Sequence, residues 1–307
     1  MKILLATDGS ACSEVAAGFL SRFNLSSDDE IIVLHVLSWG PYHDDRESYY
    51  ISLKYFKEKI APQILDTAID ILKPVEARIS TALVEGFPDK AIMEAAVDAD
   101  VDLIVLGARG IKGLKSLFIG SVTRSVAINS PKPVLVTKPP LREIPGRMRI
   151  LLAADGSESA HATAVFLASI PFPEDTELII MNVIRSSISD IPERFIMEIN
   201  DKIKEDVAKV RTIELEESSG IIEQARPYLS KRFSKIEGLT KVGDPAIEIL
   251  NAAGVFGADL IAVGCRNLKG IKGMMGSVSR SILSHSQCPV LVGKTSYGNL
   301  KSEIEGE

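Results

Sequence analysis

Two segments of this chain have the residue types and spacing to hold an anion. The first reads Gly107-Ala108-Arg109-Gly110, then nine residues from Ile111 to Ile119, then Gly120-Ser121-Val122-Thr123. It follows an apolar run, Leu103–Leu106, and leads into a helical pattern, so it is a strand, a glycine-bearing loop and a helix start. Unpaired N–H groups at a helix start, together with the positive end of its dipole, attract anions, and glycines let the backbone approach phosphate oxygens without an intervening Cβ. The hydroxyls of Ser121 and Thr123 add donors. The competing reading is a solvated loop whose glycines serve turns and whose Ser121 is only a cap. The second segment reads Gly264-Cys265-Arg266-Asn267, then eight residues, then Gly276-Ser277-Val278-Ser279.

The elements that position these loops occur twice. Ile3-Leu4-Leu5-Ala6-Thr7-Asp8-Gly9-Ser10 returns 147 residues later as Ile150-Leu151-Leu152-Ala153-Ala154-Asp155-Gly156-Ser157. Gly86-Phe87-Pro88 matches Gly243-Asp244-Pro245, and Leu103–Gly107 matches Leu260–Gly264, both at 157; Pro133–Val136 matches Pro289–Val292 at 156. The second copy has therefore gained about ten residues mid-domain and lost one between its last two landmarks. Short runs of Ile, Val and Leu alternate with helical spacing, which predicts a parallel sheet covered on both faces. In the first copy the strands are expected at Lys2–Thr7, Glu30–Leu37, Glu76–Val84, Leu103–Leu106 and Val134–Thr137. Ser10 is expected to cap the first helix, Pro88 to open the helix through Ile92, Ala95 and Ala96, and Gly120-Ser121 to open the last. Ile191–Leu229 is the longest helical stretch, with a break expected at Ser218-Ser219-Gly220 and an end at Pro227. The Pro-rich segment 141–147 reads as a linker between domains at 1–140 and 148–296, with a tail at 297–307.

Composition narrows the function. A chain of 307 residues with 46% apolar content accommodates two domains of ordinary size. The net charge is −6 and both halves are acidic, which argues against nucleic-acid or anionic-membrane partners. Cys12, Cys265 and Cys288 lack metal-ligand spacing and read as small buried apolar residues in a reducing compartment. The N-terminus reaches Asp8 before an apolar leader forms, and no apolar run has the length of a membrane span, so a soluble, cytoplasmic protein is expected. His35, His43, His161 and His285 show no ligand spacing, and no protein metal site is readable. The G-x-S-x-G elbow, the P-loop and G-x-G-x-x-G after the first strand are all missing, which removes the main support for hydrolase, P-loop and dehydrogenase readings. The aromatic stretch Trp39–Phe56 reads as a lid, an interaction surface or core.

Taken together, the first-strand Asp8 before Gly-Ser, the Gly86–Pro88 turn, the G-x2-G-x9-G-[ST] loop and the closing Pro-Val-Leu-Val resemble the universal stress protein family, twice over. The resemblance implies an α/β fold of two tandem doubly wound five-stranded parallel-sheet domains, Rossmann-like and similar to the adenine nucleotide alpha hydrolases. It implies ATP or AMP as ligand at the carboxyl ends of the first and fourth strands, in agreement with the switch-point rule. Asp8 would then lie beside ribose and adenine, and Val36 would offer its backbone to the base. Gly107 and Gly110 would line the ribose and phosphate path, and Gly120, Ser121, Val122 and Thr123 would meet the phosphates, with Mg²⁺ as a companion of those phosphates. Asp before Gly also commonly bonds its own turn. Arg109, Lys112 and Lys115 are expected to be solvated.

The second copy keeps Asp155, Val183, Gly264, Gly276 and Ser277, but has Asn267 for a glycine and lacks one residue just before Gly276. Asn tolerates left-handed backbone, whereas the deletion falls where amides should turn toward phosphate, so weaker or absent nucleotide binding is expected there. The second domain is instead expected to form an intramolecular pseudo-dimer, with Val290–Val292 pairing against Val134–Val136 to hide two sheet edges. Members of the family resembled typically pair in this way, and a further homodimer of two such chains stays open. Three functions follow in order: a nucleotide-responsive stress or signalling protein, a slow ATPase, and a nucleotide-independent scaffold. No catalytic residue is assigned, because no carboxylate or histidine has the spacing of a water-activating base.

Overall fold

The computed structural model describes residues 1–38, 53–109, 119–139, 147–185, 201–265 and 275–295, with the backbone alone for 201–204. The first copy contributes strands β1 (Lys2–Ala6), β2 (Glu30–Ser38), β3 (Arg78–Gly86), β4 (Leu103–Gly107) and β5 (Val134–Thr137). Between them run helices α1 (Ala11–Leu20), α2 (Ala61–Leu72) with a π turn before it at Phe56–Ile60, α3 (Pro88–Asp98) and α4 (Ser121–Asn129). The second copy repeats the order with β6 (Arg149–Ala153), α5 (Glu158–Ser169), β7 (Glu177–Ile184), α6 (Asp201–Leu229), β8 (Lys235–Val242), α7 (Pro245–Phe256), β9 (Leu260–Gly264), α8 (Ser277–His285) and β10 (Val290–Gly293). Ser10 and Ser157 cap α1 and α5 by accepting the amides of Ser13 and Ala160.

All the strands among the described residues lie in one sheet, ordered β3-β2-β1-β4-β5-β10-β9-β6-β7-β8. Each copy is parallel throughout, and the order reverses beside β1 and beside β6, so each copy has a crevice outside the ends of two diverging crossovers. Period-2 alternation divides the core between the two faces. Ile3, Leu5, Leu103 and Val105 pack with Phe19, Leu65 and Leu72, while Leu4, Ile104 and Leu106 pack with Ile92, Val126 and Ala127. Because both faces of the inner strands are covered, β4 and β9 read as unbroken apolar runs, whereas the edge strands β3 and β8 carry exposed polar residues.

The copies meet where β10 pairs antiparallel with β5, in register Val290 with Val136, Leu291 with Leu135 and Val292 with Val134. Two buried lysines follow those strands and cross the seam in opposite directions. Lys138 Nζ donates to Leu283 O (2.7 Å) and Ser286 O (2.8 Å) at the end of α8, and Lys294 Nζ donates to Ala127 O (2.8 Å) and Ile128 O (3.0 Å) near the end of α4. Each lysine thus satisfies carbonyls that its partner helix leaves unpaired, at the negative end of the dipole. On the opposite side Phe23 meets Phe172 edge to face at 5.2 Å, and the Asn24 amide donates to Pro171 O (2.7 Å).

Several expectations are corrected. The break at Ser218–Gly220 is absent: α6 runs continuously through it and contains Pro227 in its last turn. Tertiary packing overrides local preference, because Ser218 is buried with its hydroxyl on Thr240 Oγ1 (2.8 Å), and Ile222, Ala225 and Leu229 seal α6 onto the core. Of the cysteines only Cys265 is fully buried; Cys12 and Cys288 are half-buried. Of the stretch 39–56, Tyr55 is exposed and Phe56 stacks on His35 at 6.0 Å; residues 39–52, the linker apart from Arg147, and the tail at 297–307 lie outside the described residues. Among the described residues no helix is long and apolar enough to cross a membrane.

Candidate functional site

β1 pairs with both β2 and β4, and this places Asp8, Val36 and Gly107 at neighbouring carboxyl ends in the first crevice. Asp8 is half-buried and its Oδ1 accepts the Ser10 amide (3.1 Å), so it holds the turn into α1. Val36 is half-buried and packs on the face shared with α3 and α4. The start of α4 is tied to the end of β4 by two bonds, Gly120 N–H to Ala108 O (2.8 Å) and Thr123 Oγ1 to Gly107 O (2.8 Å). From α1, Ser10 Oγ donates to Arg109 O (3.3 Å).

Gly120 is the N-cap, with extended backbone, and no side chain among the described residues caps it. The amides of Ser121, Val122 and Thr123 precede the first intrahelical bond, which Arg124 N–H makes to Gly120 O (2.9 Å). The half-exposed Gly120 and exposed Ser121 therefore present backbone donors at a dipole terminus. Two residues turn out to serve the fold as well. The Thr123 hydroxyl is committed to Gly107 O, which leaves its amide as the group turned to the helix start. A Cβ on Gly107 would lie 2.5 Å from Cys12 O, so this glycine is required by the close approach of α1 to β4. Gly110, Lys112 and Lys115 lie outside the described residues.

The second crevice repeats this construction. Asp155 Oδ1 accepts the Ser157 amide (3.0 Å), Ser279 Oγ donates to Gly264 O (2.7 Å), and a Cβ on Gly264 would lie 2.7 Å from the Ser159 carbonyl carbon. Gly276 (φ −57°, ψ 152°) matches Gly120 (φ −60°, ψ 152°), so the deletion does not alter the helix start. Asp155, Val183, Gly264, Gly276 and Ser277 line a single cavity of about 510 Å³. That volume falls in the range of small-molecule sites. Asn267, Arg266, Lys269 and Lys272 lie outside the described residues.

Sequence reasoning missed some of what shapes the crevices. His35 Nδ1 bonds Thr7 O (2.8 Å) and Asn182 Nδ2 donates to Ala154 O (2.7 Å); these residues are 147 apart, so the repeat offset pointed to a shared structural role. The residues Glu214, Glu217 and Ser218 on α6 also line the second cavity. They fall between the repeated motifs at Ser157 and Gly243, where no shared motif in the sequence marks them.

Comparison with known proteins agrees with this architecture. The universal stress protein family model matches residues 1–138 and again 146–294. Universal stress protein YxiE of Bacillus subtilis is 36% identical over 157 residues, covering 47% of this chain and 97% of that protein. Universal stress protein MJ0577 of Methanocaldococcus jannaschii is 30% identical over 152 residues, covering 45% of this chain and 94% of that protein. The crystal structure of a universal stress protein from Archaeoglobus fulgidus shares the fold along nearly the whole chain, with TM-score 0.61, 23% identity, and coverage of 95% of this chain and 96% of that one. With two family matches in one chain and one sheet built from two equivalent halves, the chain belongs to the universal stress protein family and carries two of its domains in tandem.

Proposed function

We propose that the first copy binds an adenine nucleotide, ATP or AMP, and that the protein acts in the cytoplasm as a nucleotide-responsive stress or signalling protein. The observation that carries this reading is the helix start at Gly120–Thr123, uncapped by any described side chain and anchored beside the β1–β4 reversal. Phosphate oxygens accept from the amides of Ser121, Val122 and Thr123 and from the Ser121 hydroxyl. Gly107 and Gly110 border the ribose and phosphate path. Asp8 accepts from ribose hydroxyls, and the Val36 backbone meets the base. Mg²⁺ enters only as a partner of the phosphates, whose charge it offsets.

The pseudo-symmetric second copy stabilises the first as an intramolecular pseudo-dimer, and whole chains pair further. Occupancy of the first crevice is the signal, since Gly120 begins the helix whose far-end carbonyls Lys294 caps across the seam. The test is light scattering and native mass spectrometry of the full chain with and without ATP. A nucleotide-bound mass with a shift in assembly state is expected; a scaffold that works without nucleotide would bind none and keep its state unchanged.

A further inference from the structure

We propose that the second crevice is a distinct site for an uncharged nucleoside-class ligand, a base and sugar without a phosphate chain. This rests on the adenine-nucleotide reading of the first copy and concerns what distinguishes the two. Ile64 of α2 and Ile221 of α6 are equivalent, each abutting the Asp-Gly turn: a Cβ on Gly9 would lie 3.0 Å from Ile64 and one on Gly156 3.2 Å from Ile221. That equivalence fixes the helix turn just before each. In the first copy it reads Phe56-Lys57-Glu58-Lys59-Ile60, with two lysines and one glutamate; in the second it reads Ile213-Glu214-Leu215-Glu216-Glu217, with three glutamates.

Glu214 and Glu217 join Asp155 in lining the second cavity, and Arg185 is the one cation among the described lining residues. The glycine loops do not offset this difference between copies, because Arg266, Lys269 and Lys272 match Arg109, Lys112 and Lys115 position for position. The carboxylates of the wall helix α6 therefore set the selectivity of the second cavity. A phosphate chain entering the second cavity meets like charge, and repulsion of the wrong ligand is a common source of specificity. The same carboxylates accept hydrogen bonds from ribose hydroxyls or an exocyclic amine, both donors on a neutral nucleoside. Met181, Val183, Ile249 and Val263 give the cavity the apolar surface that a base requires.

The test is equilibrium dialysis of the full chain with labelled ATP and labelled adenosine, for the wild type and for Glu214→Lys/Glu217→Ile, which places first-copy residue types on a half-buried and an exposed position. The wild type is expected to bind about one ATP per chain and, with ATP saturating, about one adenosine more. In the double variant a second ATP equivalent appears, and adenosine loses its advantage there by about tenfold or more. If ATP fills both crevices of the wild type equally, or saturating ATP leaves no site for adenosine, the inference fails while the first-copy reading stands. If neither compound binds at any site, the adenine reading itself fails.

Discussion

Asp8 holds the turn into α1 and, in the proposed function, also meets the ligand, and substitutions separate the two duties. Asp8→Asn keeps an acceptor for the Ser10 amide and removes the charge, whereas Asp8→Ala removes both. Asp8→Ala is expected to weaken ATP binding by about tenfold, about 1.4 kcal/mol, in calorimetric titration, while Asp155→Ala leaves that affinity unchanged. Lys138 carries the pH dependence of the seam. Burial lowers its pKa from 10.5 to about 8, with Arg109 reinforcing the effect and Cys288 opposing it. The unfolded chain then holds more protons than the folded one between those two values, so this group's contribution to stability rises with pH across that window and is flat below it. Neutral Lys138 keeps the two N–H groups that its two carbonyl partners need. In urea unfolding from pH 7 to pH 10, the wild type should gain on Lys138→Met by up to about 1.4 kcal/mol per pH unit above pH 8. Curves that stay parallel would refute this. Burial lowers the Lys294 pKa too, and its symmetric placement predicts the same trend.

At the level of elements, the two copies solve one packing problem in opposite ways. A Cβ on Gly293 at the end of β10 would lie 2.0 Å from Thr163 Oγ1 of α5. In the first copy the equivalent residues are Thr137 and Ala16, so the small residue has moved from strand to helix. Gly293→Thr alone is expected to cost about 2 kcal/mol through overpacking, and Gly293→Thr with Thr163→Ala should recover most of it in a denaturation double-mutant cycle. Strictly additive losses would contradict the pairing. The elements were also where sequence reading succeeded and failed for identifiable reasons. The first-copy strands are found within about two residues of where they were expected, closely at β4 and β5, whose doubly covered apolar runs have no polar face to confuse the pattern, and least closely at the polar edge strand β3, shifted by two residues. The continuity of α6 was not legible, because Ser218 is held by a hydroxyl from β8 that is distant in sequence. The pairing of Val290–Val292 with Val134–Val136 was legible because Pro-Val-Leu-Val occurs twice, but its antiparallel register was not, nor were Lys138 and Lys294, since a single lysine after a strand carries no periodicity. Gly107 was read for its ligand role alone, and only the backbone of Cys12 at 2.5 Å reveals its packing role.

For the whole molecule, the β5–β10 pairing merges two domains into one sheet with two continuous cores, one on each face. Such a body should unfold as a unit: amide exchange followed in β1 and in β6 is expected to give coincident urea midpoints, and separated midpoints would mean that the copies melt independently. The same continuity gives the second domain a structural duty whatever its glycine loop does, since without it β5 would be an exposed edge. Clustering of Asp8, Val36, Gly107 and Gly120–Thr123 in the first crevice is the central functional claim. Its most direct test is to purify the protein without added nucleotide, denature it, and measure released adenine nucleotide per chain by chromatography, beside Gly120→Val. Gly120 has an extended conformation open to valine, so the variant obstructs the amides while keeping the backbone geometry. The account predicts about one equivalent from the wild type and a marked loss from the variant. Absence of nucleotide, followed by no binding when ATP is supplied, would contradict it.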